Sequence, residues 1–394
     1  MDNFTLYAPT HFSFGDVEEK HTGTLVRRFG GTNVLLIYGG GSVKQNGAYD
    51  AVTTSLQEAG LSWVELSGIQ PNPRSDKVYE GIELARNQQC DFVLAVGGGS
   101  VIDTAKAIAW GVGYHGDFWD IFAGKATSEP CLPIGVVLTI SAAGSEGSAS
   151  CVITQEHGNL KWGCPKNDAI RPKFSVLNPR FTYSLPSEQT ACGAADIMAH
   201  ILERYFSNTP DVALTDRLCE ALLKTVVDAA PRAISTPDDY AARADLMWTG
   251  MLAHNNSCGV GRVQDWASHQ ISHELSAFYD CAHGAALAVV MPAWMEYVLL
   301  HNPMRFARFA VEVFGCEMDY DHPERTAQEG ICRLRMFFRM LHLPTTLGEL
   351  GAKAEDIPAM VAHRAEKPNG FPFGNFVKIN PDDMANILHL SNQS

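Results

Sequence analysis

Several acidic and imidazole side chains fall at spacings that suit metal chemistry. Asp196 and His200 are four residues apart, so on a helix they stand one above the other on a single face. His269 and His273 repeat that spacing, and His283 follows ten residues later, immediately before Gly284. Three or four such groups converging would hold a divalent metal through nitrogen and oxygen. Spacing alone leaves His269 and His273 equally placed to ligate. Each histidine could instead be a satisfied helix residue, and Asp196 a solvated one. Yet Asp196 and His200 lie in the mostly small, apolar run GAADIMAHIL, where an unpaired charge is costly. The run His269-Gln270-Ile271-Ser272-His273-Glu274 is not H-E-x-x-H, which excludes a zincin-type protease.

A second kind of site is written in glycine. Gly39-Gly40-Gly41-Ser42 follows the apolar run Val34–Ile37, and Gly97-Gly98-Gly99-Ser100 follows Phe92–Val96. Glycine at a strand end lets backbone approach a phosphate, and the free N–H groups of the next helix favour the anion. Such loops can also be plain turns. Two of them in one sheet point to a phosphate-bearing ligand, although neither is the G-x-G-x-x-G fingerprint of an ordinary Rossmann dehydrogenase.

The elements that must position these residues differ along the chain. Apolar runs at Asn33–Tyr38, Ser62–Leu66, Asp91–Val96, Ile134–Leu138 and Phe174–Leu177 read as strands buried on both faces. Helical windows between the early ones near Gln45–Glu58, Lys77–Asn87 and Val101–Trp110 imply a doubly wound α/β domain over residues 1–186. Beyond Ser184–Ser187 the pattern turns helical: windows near Glu188–Phe206, Val212–Ala230, Tyr240–Asn255, Val263–Phe278, Ala285–His301 and Arg325–Leu341 imply an all-α domain over 187–394. The tail from Lys367 has no clear assignment.

With 394 residues, 46% of them hydrophobic, the chain has material for two domains. A net charge of −14 repels phosphate backbones and argues against nucleic acid as a partner. The ten cysteines form no C-x-x-C pair and read as reduced thiols. The N-terminus lacks the pattern of a signal peptide, and the apolar stretch Gly284–Leu300 is interrupted by Pro292 and Glu296. The expectation is a cytoplasmic protein with no membrane span.

These residues bring a family into view. The chain resembles the iron-containing (group III) alcohol dehydrogenases over nearly its full length, and within them the butanol dehydrogenase and broad-specificity aldehyde reductase branch. The resemblance rests on Gly97-Gly98-Gly99-Ser100-Val101-Ile102-Asp103-Thr104-Ala105-Lys106, Pro71-Asn72-Pro73, Gly144-Ser145-Glu146 and the span Asp265–His283. It implies a dehydroquinate synthase-like fold with the active site in the cleft between its two domains. It also implies metal ligation by Asp196, His200, His269 and His283, with iron or zinc bound, and His273 near substrate and nicotinamide. Gly98, Gly99 and Ser100, with Asp103 in the same motif, would serve the pyrophosphate. Asn72, Thr139 and Lys161 would lie along the dinucleotide, and Gly39, Gly40, Gly41 and Ser42 would face the adenosine ribose. NAD-preferring members carry an acid there; this chain has none, which favours NADP(H). Where the family often reads P-T-T-A-G-T-G-S-E, residues 138–146 read LTISAAGSE, with Ile140 replacing a threonine.

The activity so implied is reversible hydride transfer between NAD(P)H and an aldehyde or primary alcohol, the metal acting as Lewis acid on the carbonyl. Two alternatives stay open. A lyase or cyclase of the dehydroquinate synthase type would need basic residues grouped with the ligands, whereas Arg204, Lys224 and Arg232 read as scattered. A metal-dependent hydrolase would use the glycine loops only as turns. Trp162, Trp266, Phe278 and Phe371 are candidates for an apolar substrate pocket. A homodimer is expected, through a strand Phe4–Tyr7 at a sheet edge.

Overall fold

The computed structural model describes residues 1–127, 130–367 and 369–392. The chain divides into two compact units. The first, Tyr7–Leu185 with Pro237–Asn255, is built on a parallel sheet of β1 (His11–Phe14), β2 (Asn33–Tyr38), β3 (Ser62–Leu66), β4 (Phe92–Gly97), β5 (Ile134–Leu138) and β8 (Phe174–Leu177). A separate antiparallel hairpin pairs β6 (Val152–Gln155) with β7 (Leu160–Gly163). The sheet order is β1-β8-β5-β4-β2-β3. After β2 the chain adds β3 on one side and then returns to add β4 on the other, so the topological switch lies between β2 and β4, where open α/β sheets bind ligands beyond their carboxyl ends. β2, β4, β5 and β8 are almost wholly buried, because helices cover both faces of the sheet.

The second unit comprises Met1–Leu6, Pro186–Thr236 and the chain from Asn256 onward, and is helical. Pro186 precedes the helix Ser187–Tyr205, where its missing N–H costs nothing. The helix Ala267–Tyr279 leads into His283–Val298, which is buried on nearly all sides. The run His283–His301 is long and apolar enough to cross a membrane, but 78% of its window is buried inside the protein, as in a core helix.

Four expectations change. The single boundary near residue 186 does not hold for Pro237–Asn255, which joins the α/β unit. Its helix, Tyr240–His254, sets Trp248 edge-on to Phe12 and Phe14, and its Gly250 carbonyl fills the space where a Cβ at Gly144 would stand. Phe4–Tyr7 is not a strand: the Asp2 N–H bonds the Gly261 carbonyl, and the edge strand is His11–Phe14, paired in parallel with β8. The window Gln45–Glu58 is two helices, Ser42–Gln45 and Ala48–Glu58, separated by Gly47 at φ 81°. Val263–Phe278 begins later, at Ala267. In the tail, Pro381–Leu390 forms a helix with an Asn380/Asp383 capping box.

Candidate metal and dinucleotide sites

The helical unit brings three imidazoles to one carboxylate oxygen. Nε2 of His200 stands 3.3 Å from Asp196 Oδ1, and Nε2 of His269 and of His283 each stand 3.9 Å from it. Ligand atoms of Asp196, His200 and His269 all lie within 4.8 Å of one another. Both Asp196 Oδ1 and His269 Nε2 are buried and make no hydrogen bond, although such groups ordinarily find a partner. A cation between them would satisfy both, so the donor set fits a divalent metal. Burial, opposed by Asp196, pulls the His200 pKa down to about 4, which keeps that imidazole neutral and able to ligate at neutral pH.

The local fold explains the aim. Asp196 and His200 occupy one face of Ser187–Tyr205, and Glu203 follows one turn on. Glu203 Oε1 lies 2.9 Å from His269 Nδ1 and accepts the His269 backbone N–H at 2.9 Å, while Oε2 accepts that of Trp266 at 2.6 Å. One carboxylate thus caps the helix Ala267–Tyr279 and fixes the tautomer that frees Nε2. Asp265 accepts backbone N–H bonds from Ala267, Asn375 and Phe376. Burial, then the charge of Glu203, push the Asp265 pKa up to about 7. Arg204 is closer to the centre than its sequence position suggests: Nη1 donates to the His200 carbonyl at 2.6 Å, and the guanidinium lies over Trp266. It holds backbone, and its own carbonyl accepts Arg262 Nη1 at 3.0 Å, while Arg262, Arg305 and Arg308 are paired with the Asp216 carboxylate.

His269 is buried against Glu203, and His273, one turn on, is more exposed. His273 is half-buried, and its ring lies 5.4 Å from that of His283. The next residue, Glu274, is fully buried and pairs with His363 at 2.5 Å and Lys367 at 2.6 Å. Among the aromatic candidates, Trp266 packs edge-on against His200 and His269. Phe278 meets His363, Phe371 meets Phe373, and Trp162 stacks on Trp119.

The α/β unit sets the two glycine clusters side by side. Tyr38 is in register with Val96, and Gly97 with Leu138, so Gly39–Gly41, Gly97–Ser100 and Thr139 leave adjacent strands at one end of the sheet. Nothing lies within 4 Å of a Cβ built at Gly40 or Gly41, whereas at Gly98 it would meet Ile140 Cγ2 at 2.1 Å. Ile140 therefore occupies the space over Gly98, and the helix Gly99–Val112 begins beside it, its Val101 and Ile102 N–H groups donating to the Gly98 carbonyl and those of Gly99 and Ser100 leading the first turn. Asn72, at φ 53°, accepts a hydrogen bond from Lys161 Nζ at 2.8 Å. This cradle of bare backbone, helix N-terminus and one lysine fits a dinucleotide.

Asp103 faces inward. Its carboxylate accepts Ser145 Oγ at 2.6 Å and the Val152 N–H at 2.9 Å. One turn on, the fully buried Lys106 ammonium donates to Ser145, Ser148 and Ser150 oxygens at 2.7–3.1 Å. The second half of the glycine motif thus anchors the loop 145–152.

The candidate metal set lies in one unit and the glycine cradle in the other, and the comparisons name the family that carries both kinds of chemistry. The family description "Iron-containing alcohol dehydrogenase" matches residues 9–179, and "Fe-containing alcohol dehydrogenase family, C-terminal" matches 190–391. The chain belongs to the iron-containing alcohol dehydrogenase family, with its dehydroquinate synthase-like fold. It is 42% identical to the probable NADH-dependent butanol dehydrogenase 2 of Bacillus subtilis over 99% of this chain and 100% of that one. It is 35% identical to the NADPH-dependent aldehyde reductase YqhD of Escherichia coli over 92% of each. The crystal structure of NADH-dependent butanol dehydrogenase A from Thermotoga maritima superposes with a TM-score of 0.96 at 42% identity, covering 100% of this chain and 99% of that one.

Proposed function

We propose that this chain is a metal-dependent oxidoreductase transferring hydride reversibly between NAD(P)H and an aldehyde or primary alcohol. The observation that carries the reading is the convergence of three imidazoles on Asp196 Oδ1, in a chain that also carries paired glycine loops at a switch point. Asp196, His200, His269 and His283 would hold iron or zinc; three imidazoles and a carboxylate accept either. A bound ion supplies Lewis-acid polarisation of the carbonyl oxygen. Glu203 keeps His269 aimed. His273 is the residue suited to hold or pass the proton of the substrate oxygen, since imidazole titrates near neutrality. The backbone of Gly98, Gly99 and Ser100 receives the pyrophosphate, Asn72, Thr139 and Lys161 line the dinucleotide, and Asp103 serves it indirectly by anchoring the loop 145–152.

Gly39, Gly40, Gly41 and Ser42 would face the adenosine ribose. Their open space, hydroxyl and lack of a carboxylate favour NADP(H). Lys44, over the rings of Tyr38 and Tyr49, adds a nearby cation. Relatives named NADH-dependent are 39–42% identical and the NADPH-dependent reductase 35%, so identity ranks the coenzymes in the opposite order to loop chemistry. The deciding experiment assays metal-loaded protein with NADH and NADPH against short- and medium-chain aldehydes, with and without chelator. Net reduction that disappears with the metal is expected; dinucleotide binding without turnover of any aldehyde would overturn the reading. A cytosolic homodimer completes the proposal, supported by ten free cysteines and by β1 at the sheet edge; light scattering in solution tests the dimer.

A further inference from the structure

Cys151 and Cys164 flank the hairpin β6–β7 directly opposite each other. Val152 is in register with Gly163, and the Cys164 N–H donates to the Cys151 carbonyl at 2.9 Å. Their sulfurs are 3.5 Å apart, the Cys151 thiol donating to Cys164 Sγ. The Cys151 backbone N–H donates to the same sulfur at 3.3 Å. Beside them lies the buried Lys106 ammonium, bonded at 2.9 Å to the carbonyl of Ser150 and in electrostatic contact with both thiols. Cys164 thus receives two hydrogen bonds and lies beside a cation. It also retains 9% exposure, against 2% for Cys151.

We propose that Cys164 and Cys151 form a redox-sensitive thiol pair, Cys164 attacking a small peroxide and Cys151 resolving the product as a disulfide. The Cys164 thiolate attacks one oxygen of hydrogen peroxide; the O–O bond breaks, and hydroxide leaves and takes up a proton as water. Cys151 then attacks the Cys164 sulfenic acid, the S–O bond breaks, and a second water leaves with the Cys151 proton. Two thiols and one peroxide give one disulfide and two waters, the sulfurs supplying both electrons. Cα atoms opposite each other in an antiparallel pair stand within disulfide range, so side-chain rotation suffices to bring the sulfurs together. The bridge would tie both ends of the hairpin carrying Lys161.

The test treats the full-length, metal-loaded protein with equimolar hydrogen peroxide, blocks remaining thiols in denaturant, and maps peptides without reduction. Expected is a 151–164 cross-link that forms before the exposed Cys332 is modified and is reversed by dithiothreitol. In Cys151→Ser, dimedone should label Cys164; in Cys164→Ser, Cys151 should stay reduced. Oxidation of Cys332 or of Cys219 and Cys258 while both hairpin thiols stay free would overturn the proposal. So would dimedone labelling of Cys151 in Cys164→Ser.

Discussion

At the scale of single residues, the metal centre is a question of which imidazoles aim at one point and what aims them. His283→Ala removes a donor 3.9 Å from Asp196 Oδ1, and should lose bound metal and most turnover while dinucleotide affinity stays within about twofold. His273→Ala should keep its metal and lose rate. Metal analysis by mass spectrometry beside kcat separates the two; equal metal loss in both would mean the pair is misassigned. Glu203 makes a finer test. Glu203→Gln leaves its shape but weakens the acceptor on His269 Nδ1, so metal affinity should fall roughly 10- to 100-fold. Competition against a fluorescent chelator reads this directly. Spacing singled out Asp196, His200 and His283 as candidates, and the face shared by Asp196 and His200 extends by one more turn to Glu203. That extension carried no chemical signal in the sequence, because a glutamate on a helix is usually solvated. Spacing left the choice between His269 and His273 open and the family resemblance made it; what sets His269 apart in the structure is Glu203, on another helix.

Elements decide where the coenzyme backbone can lie. Gly98 is fixed by its neighbour: a methyl there would stand 2.1 Å from Ile140 Cγ2. Gly98→Ala should raise the dinucleotide Kd about tenfold or more, through overpacking strain of about 1–3 kcal/mol. Adding Ile140→Ala should recover most of the loss, while Ile140→Ala alone changes little. Titration calorimetry on the four proteins closes the cycle; independent effects would mean the two side chains do not compete. The short 3-10 turn Ser145–Gly147, beside the helix Tyr240–His254, supplies a pH test. Glu146 is buried, and burial, offset by its own backbone N–H and by Lys106, pushes its pKa up to about 7. A carboxyl raised above its unfolded value of 4.5 costs the folded state stability as pH rises through that window. Glu146→Gln should therefore gain on wild type between pH 5 and 8, by about 2–3 kcal/mol if the full shift applies. Urea melts at the two ends measure it. Strands and long helices were readable because continuous apolar runs and 3.6-residue periodicity report burial directly. The edge strand His11–Phe14, the hairpin β6–β7 and the membership of Tyr240–His254 were not, because each depends on a partner distant in sequence.

For the whole molecule, the relevant quantity is charge. A chain of net charge −14 must bind an anionic coenzyme, so affinity rests on local backbone N–H groups and a few cations against an unfavourable background field. If Gly39–Ser42 face the ribose as proposed, the extra phosphate of NADPH would make that contest sharper at this loop than elsewhere. A carboxylate placed there tests the loop's role, and the structure distinguishes two positions for it. At Gly39 a Cβ would crowd the Ile69 carbonyl at 3.2 Å, while at Gly40 nothing lies within 4 Å. Gly40→Asp should accordingly act through charge alone, and Gly39→Asp through charge and strain. Two unit charges about 4 Å apart repel by about 4 kcal/mol at an effective dielectric near 20, and water reduces this. The expected loss of kcat/KM with NADPH is roughly 10- to 100-fold for Gly40→Asp. With NADH the same carboxylate can accept the ribose 2′-hydroxyl, so efficiency should hold or rise. Gly39→Asp should lose ground with both coenzymes. Because the repulsion is screened over about 10 Å at 0.1 M salt, the change in the NADPH:NADH ratio should shrink at high ionic strength, while the strain penalty at Gly39 should not. Steady-state rates with both coenzymes at low and high salt read all four quantities. A ratio unmoved by Gly40→Asp would place the ribose away from this loop, and a wild-type enzyme preferring NADH would overturn the NADP(H) reading itself.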